Sequence, residues 1–215
     1  MFQYRAVPYL QQFSEGVIAS HTLKLFGIGE SAMEAQLREQ MNAMTNPTLA
    51  PYAKEGECEL RVTAKAAAQE EAQALLLPTV DKLKEHFGPL VYGVDVPSLE
   101  FVLEGLLKEK GLTLGTAESC TGGLIAQRIT SVPGSSEVFG YGFVTYWEAA
   151  KARLVGVEPD VIAKYNVVSA PVAAQMALGA AQAAGAEIGI SVTGVAGPTG
   201  GDALRPVGTA DLGAA

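Results

Sequence analysis

A three-layer α/β sandwich with a largely parallel sheet, preceded by a small α+β domain, is the fold class that these 215 residues predict. Three observations carry it. From about residue 95 onward, short apolar runs of strand character alternate with helical periodicity. Before it, two alternating runs are each followed by one helical stripe. Between them "GPLVYGVDVPS" (88–98) clusters Gly and Pro, and the pattern restarts. The domains are therefore 1–94 and 95–215.

In the first domain "HTLKLFGIG" (21–29) alternates as a strand. The segment 30–44 carries Met33, Leu37 and Met41 at four-residue steps, a helical stripe. "NPTLAPYAKEG" (46–56) is punctuated by Pro and Gly and reads as loop. "CELRVTA" (58–64) alternates again, with Leu60 and Val62 on one face. A second helix spans 66–88, stopped or kinked at Pro78. The second domain opens with a helix over 99–111, whose apolar positions are 99, 102, 103, 106 and 107. Strands follow at 112–117, 140–146 and 186–197, and helices at 121–131, 147–155 and 170–185. The last helix is rich in alanine, and core packing accounts for that run. Ligands in such folds sit at the carboxyl ends of strands, in the loops that start helices.

Composition narrows the function. The net charge is −8, and the acidic excess is shared: 8 basic against 11 acidic residues in 1–94, 7 against 12 in 95–215. Neither half offers the basic field of sequence-independent nucleic-acid binding. Every apolar run is broken well short of a membrane span, and the first residues lack a signal-peptide pattern. Two distant cysteines, Cys58 and Cys120, make no disulfide framework, so the expected compartment is the cytoplasm. Two histidines, His21 and His86, have no metal-ligand spacing; no metal or cofactor is expected.

Three small, polar loops fall at the strand ends: "AESCTGG" (117–123), the stretch from "VPGSS" to Lys151, and "SVTGVAGPTGGDALRPVG" (191–208). A parallel sheet would bring them to one edge. The sharpest combination is a serine with a lysine, because a buried neutral lysine can deprotonate a serine without histidine. Lys151 lies early in a helix, whose positive end disfavours its protonated form. Tyr146, at the strand end, can orient the pair. Ser135 and Ser136 follow Pro133-Gly134; an ordinary turn with an N-cap explains them equally. Ser119 and Cys120 admit three readings: a thiolate nucleophile at a helix N-terminus, a hydroxyl- and glycine-lined anion cradle through Thr121, Gly122 and Gly123, or a capped helix beside a small buried cysteine. The turn containing Gly197 is either a pocket wall or a tight connection.

Taken together, "TAESCTGGLIAQRIT", "VPGSS", "VTYWEAAKARLVGV", "VTGVAGPTGG" and "RPVGT" resemble the C-terminal domain of the CinA family, a nicotinamide mononucleotide amidohydrolase. The blocks occur in the family's order across 99–209. "LKLFGIGES" and "NPTLAPYAKEGECELRVTAKA" resemble the family's KH-like middle domain. The resemblance implies metal-free hydrolysis of the substrate amide to nicotinic acid mononucleotide and ammonia. It gives Ser136 the nucleophile role, Lys151 that of its base and Tyr146 a supporting one. It places Ser119, Thr121, Gly122, Gly123, Ser135, Thr193, Gly194, Gly197 and Arg205 at the substrate, with 119–123 as the favoured phosphate loop.

The chain departs from the family at Trp147-Glu148-Ala149-Ala150, where "SNEA" is usual, and at Ala170, where a carboxylate is usual. Family members continue past the position of Ala215 through further strand and a closing helix bearing an arginine. The resemblance thus implies a C-terminally incomplete domain, and a non-catalytic nucleotide- or partner-binding fragment is the alternative function. RNA binding by the KH-like half is disfavoured, because Gly27-Ile28-Gly29-Glu30 lacks the G-x-x-G spacing and adds a carboxylate. A structural or homodimer-forming role is expected of it.

Overall fold

The computed structural model describes residues 2–11, 13 and 16–215, which form two compact units, Met1–Leu99 and Glu100–Ala215. In the first, a short helical segment ending in α1 (Val7–Gln11) precedes β1 (Val17–Leu25), α2 (Glu30–Ala43), β2 (Thr48–Lys54), β3 (Glu57–Ala66), α3 (Gln69–Phe87) and β4 (Val91–Val94). The strands pair antiparallel in the order β2-β3-β1-β4. Alternation puts Leu23, Leu25, Leu60 and Val62 on one face, where they bury against Met33 and Leu37 of α2 and Leu76, Val80, Leu83 and Phe87 of α3.

Two readings need correction here. The segment read as loop contains β2, which tolerates Pro51 because it lies at the sheet edge, where only one side of the strand needs ladder donors. The helix read as stopped or kinked at Pro78 is not stopped there: it continues from Gln69 to Phe87, held to the sheet by the apolar stripe on both sides of the proline.

A polar clasp joins β1 to the segment after β4. His21 Nδ1 is hydrogen-bonded to the Asp95 carboxylate and Nε2 to the Gln73 side-chain amide at 2.8 Å, while Asp95 Oδ1 accepts the Thr22 N–H. Both ring nitrogens are engaged, Nδ1 by Asp95 and Nε2 by Gln73. The Asp95 hydrogen bond leads in raising the His21 pKa above the ordinary 6.5. The folded value exceeds the unfolded one, so the clasp stabilises fully below about pH 6.5 and its contribution is lost as pH rises through the folded value. In an NMR titration, the His21 Cε1–H resonance should turn over above pH 6.5, and Asp95→Asn should lower that midpoint. Loss of the clasp should cost no more than ~1 kcal/mol.

In the second unit α4 (Leu99–Lys110) leads into β5 (Leu114–Glu118), α5 (Leu124–Thr130), β6 (Phe139–Val144), α6 (Glu148–Val155), α7 (Pro159–Tyr165), α8 (Ala170–Ala184), β7 (Ile188–Gly194) and β8 (Ala210–Ala214). The sheet order is β6-β5-β7-β8; β5 pairs parallel with both neighbours, and β8 runs antiparallel along β7. One face packs buried Leu114 and half-buried Ile188 and Ile190 against Leu107 of α4 and Ile129 of α5. The other packs buried Ala117 and half-buried Phe143 against Val155, Val172, Met176 and Ala180. These are the three layers expected.

The alanine-rich α8 is a device for close approach. A Cβ on Gly115, Gly189 or Gly213 would stand 2.8, 1.9 or 2.3 Å from a carbonyl oxygen of α8, so the helix backbone rests on the strands. Ser191 uses the same proximity to donate its hydroxyl to Ala173 O at 2.6 Å. Among the described residues, no helix is long and apolar enough to cross a membrane.

Candidate active site

The loops after β5, β6 and β7 meet at the carboxyl end of the parallel strands. They line a cavity of about 450 Å³ with Ser119, Cys120, Tyr146, Trp147, Glu148, Lys151, Thr193, Gly194 and Ala196; Val167 and Val168 close it from the connection before α8. The strand ends are locked together beneath it. Ser119 N–H donates to Val192 O at 3.0 Å and Thr145 N–H to Glu118 O at 2.7 Å, which extends the sheet one residue past β5 on both sides.

Lys151 is the largest fully buried side chain, with none of its surface exposed. Its backbone N–H donates to Trp147 O, which places it in the first turn of α6. A helical side chain leans back toward the N-terminus, and the amine accordingly reaches the end of the strands. Nζ donates to Thr145 O at 2.7 Å and stands 3.0 Å from Ser119 Oγ, itself buried. Burial holds the amine below the ordinary lysine value of 10.5, with Glu148 and Cys120 opposing. A neutral amine that donates to a carbonyl keeps its lone pair for the serine hydroxyl. The contact can therefore take a proton from Ser119.

This corrects the pairing expected from sequence. Ser136 lies in a short 3-10 turn, Ser135–Glu137, that precedes β6, whereas Lys151 follows it. It lines a different cleft with Thr113, Phe139 and Gly185, at the amino ends of the strands. Ser135 is buried in the same turn and its N–H donates to Val132 O. Both serines belong to a turn, and the lysine's serine partner is Ser119.

The anion cradle is corrected as well. Glu118, 1% exposed, accepts the N–H of Ile125 at 2.9 Å, the N–H of Ala126 at 2.8 Å and the Thr121 hydroxyl at 2.7 Å. A protein carboxylate thus occupies the start of α5, where a phosphate was expected, and like charge would repel one. Gly122 and Gly123, at φ 62° and 102°, make the turn that returns the chain to this carboxylate. Thr193 lines the cavity but gives its hydroxyl to Val167 O at 2.9 Å, pinning the wall before α8. Gly194 is required for packing: a Cβ there would stand 2.6 Å from Thr209 O and 3.0 Å from Cys120 Sγ. Gly197 and Arg205 fall outside the lining, and the Arg205 guanidinium is paired with Asp202 at 2.8 Å.

Sequence reasoning brought Ser119, Tyr146, Lys151, Thr193 and Gly194 to one cavity. It missed Glu118, whose role shows only once the following turn folds back on it. It also left Trp147 and Glu148 without a role, although their place between Tyr146 and Lys151 was a signal. Among the described residues no cluster of three or more His, Cys, Asp or Glu side chains could hold a metal ion.

Comparison with known proteins gives a consistent family. The description "CinA C-terminal domain" matches residues 97–215 and "Damage-inducible protein CinA KH domain" matches 20–93. A CinA-like protein of Dictyoglomus thermophilum is 46% identical over 213 residues, covering 99% of this chain and 52% of that protein. One from Kosmotoga olearia is 44% identical with the same coverage. The chain thus spans about half the length of the curated relatives it matches. Among solved structures, the competence/damage inducible protein CihA from Agrobacterium tumefaciens is 43% identical with a TM-score of 0.53, over 54% of this chain and 70% of that one. A competence-damaged protein (CinA) superfamily protein from Escherichia coli is 38% identical with a TM-score of 0.52, over 54% and 67%.

Proposed function

The chain belongs to the CinA family, and from that premise we propose that it hydrolyses the carboxamide of nicotinamide mononucleotide, with Ser119 as nucleophile and Lys151 as its base. The observation that carries this reading is the buried 3.0 Å contact between Lys151 Nζ and Ser119 Oγ, open to a cavity at the strand ends. Lys151 takes the hydroxyl proton as Ser119 Oγ bonds to the amide carbon. The tetrahedral adduct then expels ammonia, which leaves with the proton that Lys151 returns, and an ester remains on Ser119. Water attacks the ester, again giving a proton to Lys151, which passes it back to Ser119 Oγ as the carboxylic acid product departs and loses its proton to solvent. Thr145 O holds the amine in line throughout, and Tyr146 stands at the cavity beside the pair.

The test is ammonia release from nicotinamide mononucleotide by this chain, with a Lys151→Ala control. Release should fall by about 10²–10⁴-fold in the control, the range of a lost general base. In the parent chain kcat/KM should rise with pH as Lys151 loses its proton and level off below the ordinary lysine value of 10.5. A folded chain that binds the nucleotide without releasing ammonia would support a binding role instead.

A further inference from the structure

The cavity wall contains a side chain that the Ser–Lys chemistry does not use. Trp147 is the sole tryptophan of the chain, is 77% exposed and contributes to the cavity lining, immediately before the first turn of α6. Its backbone oxygen accepts the Lys151 N–H, which ties the residue before α6 to the one that carries the amine. Among the described residues it stacks on no other ring and takes no cation on its face. An indole left open on a concave surface is apolar area awaiting a partner.

The charge around it selects the partner. The ionisable groups of the lining are Glu148, Lys151, Tyr146 and Cys120. The one amine is fully buried and donates to Thr145 O, whereas Glu148 is exposed, so the acidic side chain that the lining presents to a ligand is Glu148. The open part of the cavity therefore favours a cation, and an indole face attracts a cation more strongly than any other aromatic side chain does. We propose that Trp147 is the platform on which a flat, cationic aromatic ring lies, the pyridinium ring of a nicotinamide nucleotide, and that it makes this chain select charged over neutral rings. The inference rests on the amidohydrolase reading for the identity of the ligand. It concerns how the ring is held, not how the amide is cut.

Because Trp147 is the only indole, intrinsic fluorescence reports on it alone. Titration with nicotinamide mononucleotide should quench the emission, with a midpoint matching the Kd from calorimetry. The isosteric mononucleotide of benzamide, whose ring is neutral, should bind about tenfold more weakly. Trp147→Ala should raise KM and Kd for nicotinamide mononucleotide about tenfold while kcat moves less than about threefold, and Trp147→Phe should fall between. Unchanged emission despite calorimetric binding, equal affinity for the neutral ring, or an unaltered KM in Trp147→Ala would each overturn the platform. Ammonia release separates the two readings. Quenching without release sinks the hydrolase and keeps the platform; release with an unaltered KM in Trp147→Ala does the reverse; neither binding nor release removes both.

Discussion

Ser119→Ala is expected to lower kcat for ammonia release from nicotinamide mononucleotide by at least ~10³-fold, whereas Ser136→Ala should leave it within about twofold. The contrast comes from where β6 puts the two serines. The six residues of this strand span about 20 Å from its amino to its carboxyl end. Ser136 lies before the amino end and Lys151 beyond the carboxyl end. Ser119 immediately follows the neighbouring parallel strand, at the same end as Lys151, and its hydroxyl stands 3.0 Å from the amine. The alanine variant loses the attacking oxygen while keeping the amine, the Thr145 carbonyl and the cavity. Nicotinamide mononucleotide should therefore still bind, with a calorimetric Kd within a fewfold of the parent. A variant that neither binds nor turns over would indicate a damaged cavity, and the assignment would then rest on Ser119→Cys, which retains a nucleophile at the same position. Full activity in Ser119→Ala would remove Ser119 from the chemistry.

The placement of Ser136 away from Lys151 shows which part of the site was legible. Hydrophobic periodicity placed β5, β6 and β7 to within a few residues, and with them the three loops that converge on the cavity. The same strand placement already set Ser136 and Lys151 on opposite ends of one strand. Side chains at opposite ends of a strand cannot touch, and that geometric signal outweighs motif order. Other elements gave no readable signal. In β8, Ala210-Asp211-Leu212-Gly213-Ala214, the one large apolar residue, Leu212, is 75% exposed. The strand exists because Gly213 lets it lie beneath α8 beside Ser191. β2 hid behind Pro47 and Pro51, and its edge position becomes evident only when β3 has a second partner. In α7, seven residues starting at Pro159, no apolar stripe has room to repeat.

Glu118→Leu should destabilise the chain by ~3–5 kcal/mol, and Glu118→Gln by ~2 kcal/mol, in urea unfolding followed by circular dichroism. The carboxylate is buried at the last residue of β5 and receives three donors, two of them backbone N–H groups at the start of α5. Each buried amide left without an acceptor costs ~1–3 kcal/mol, and leucine strands both. Glutamine restores one acceptor oxygen but turns an NH₂ toward a backbone donor, so one of the two contacts becomes repulsive. The effect reaches the chemistry because Glu118 fixes the turn that begins with Ser119. Where Glu118→Gln remains folded, kcat should drop by up to ~10²-fold, the cost of displacing a reacting atom by about 1 Å, with KM changing far less. Glu118→Asp separates the two roles. Its carboxylate keeps the charge but falls one methylene short of the amides, so it should recover part of the stability and less of the rate. Equal stability of Glu118→Gln and the parent would show that the α5 amides find another acceptor, and the turn carrying Ser119 would then owe its position to the strand pairings of Glu118 O and Ser119 N–H alone.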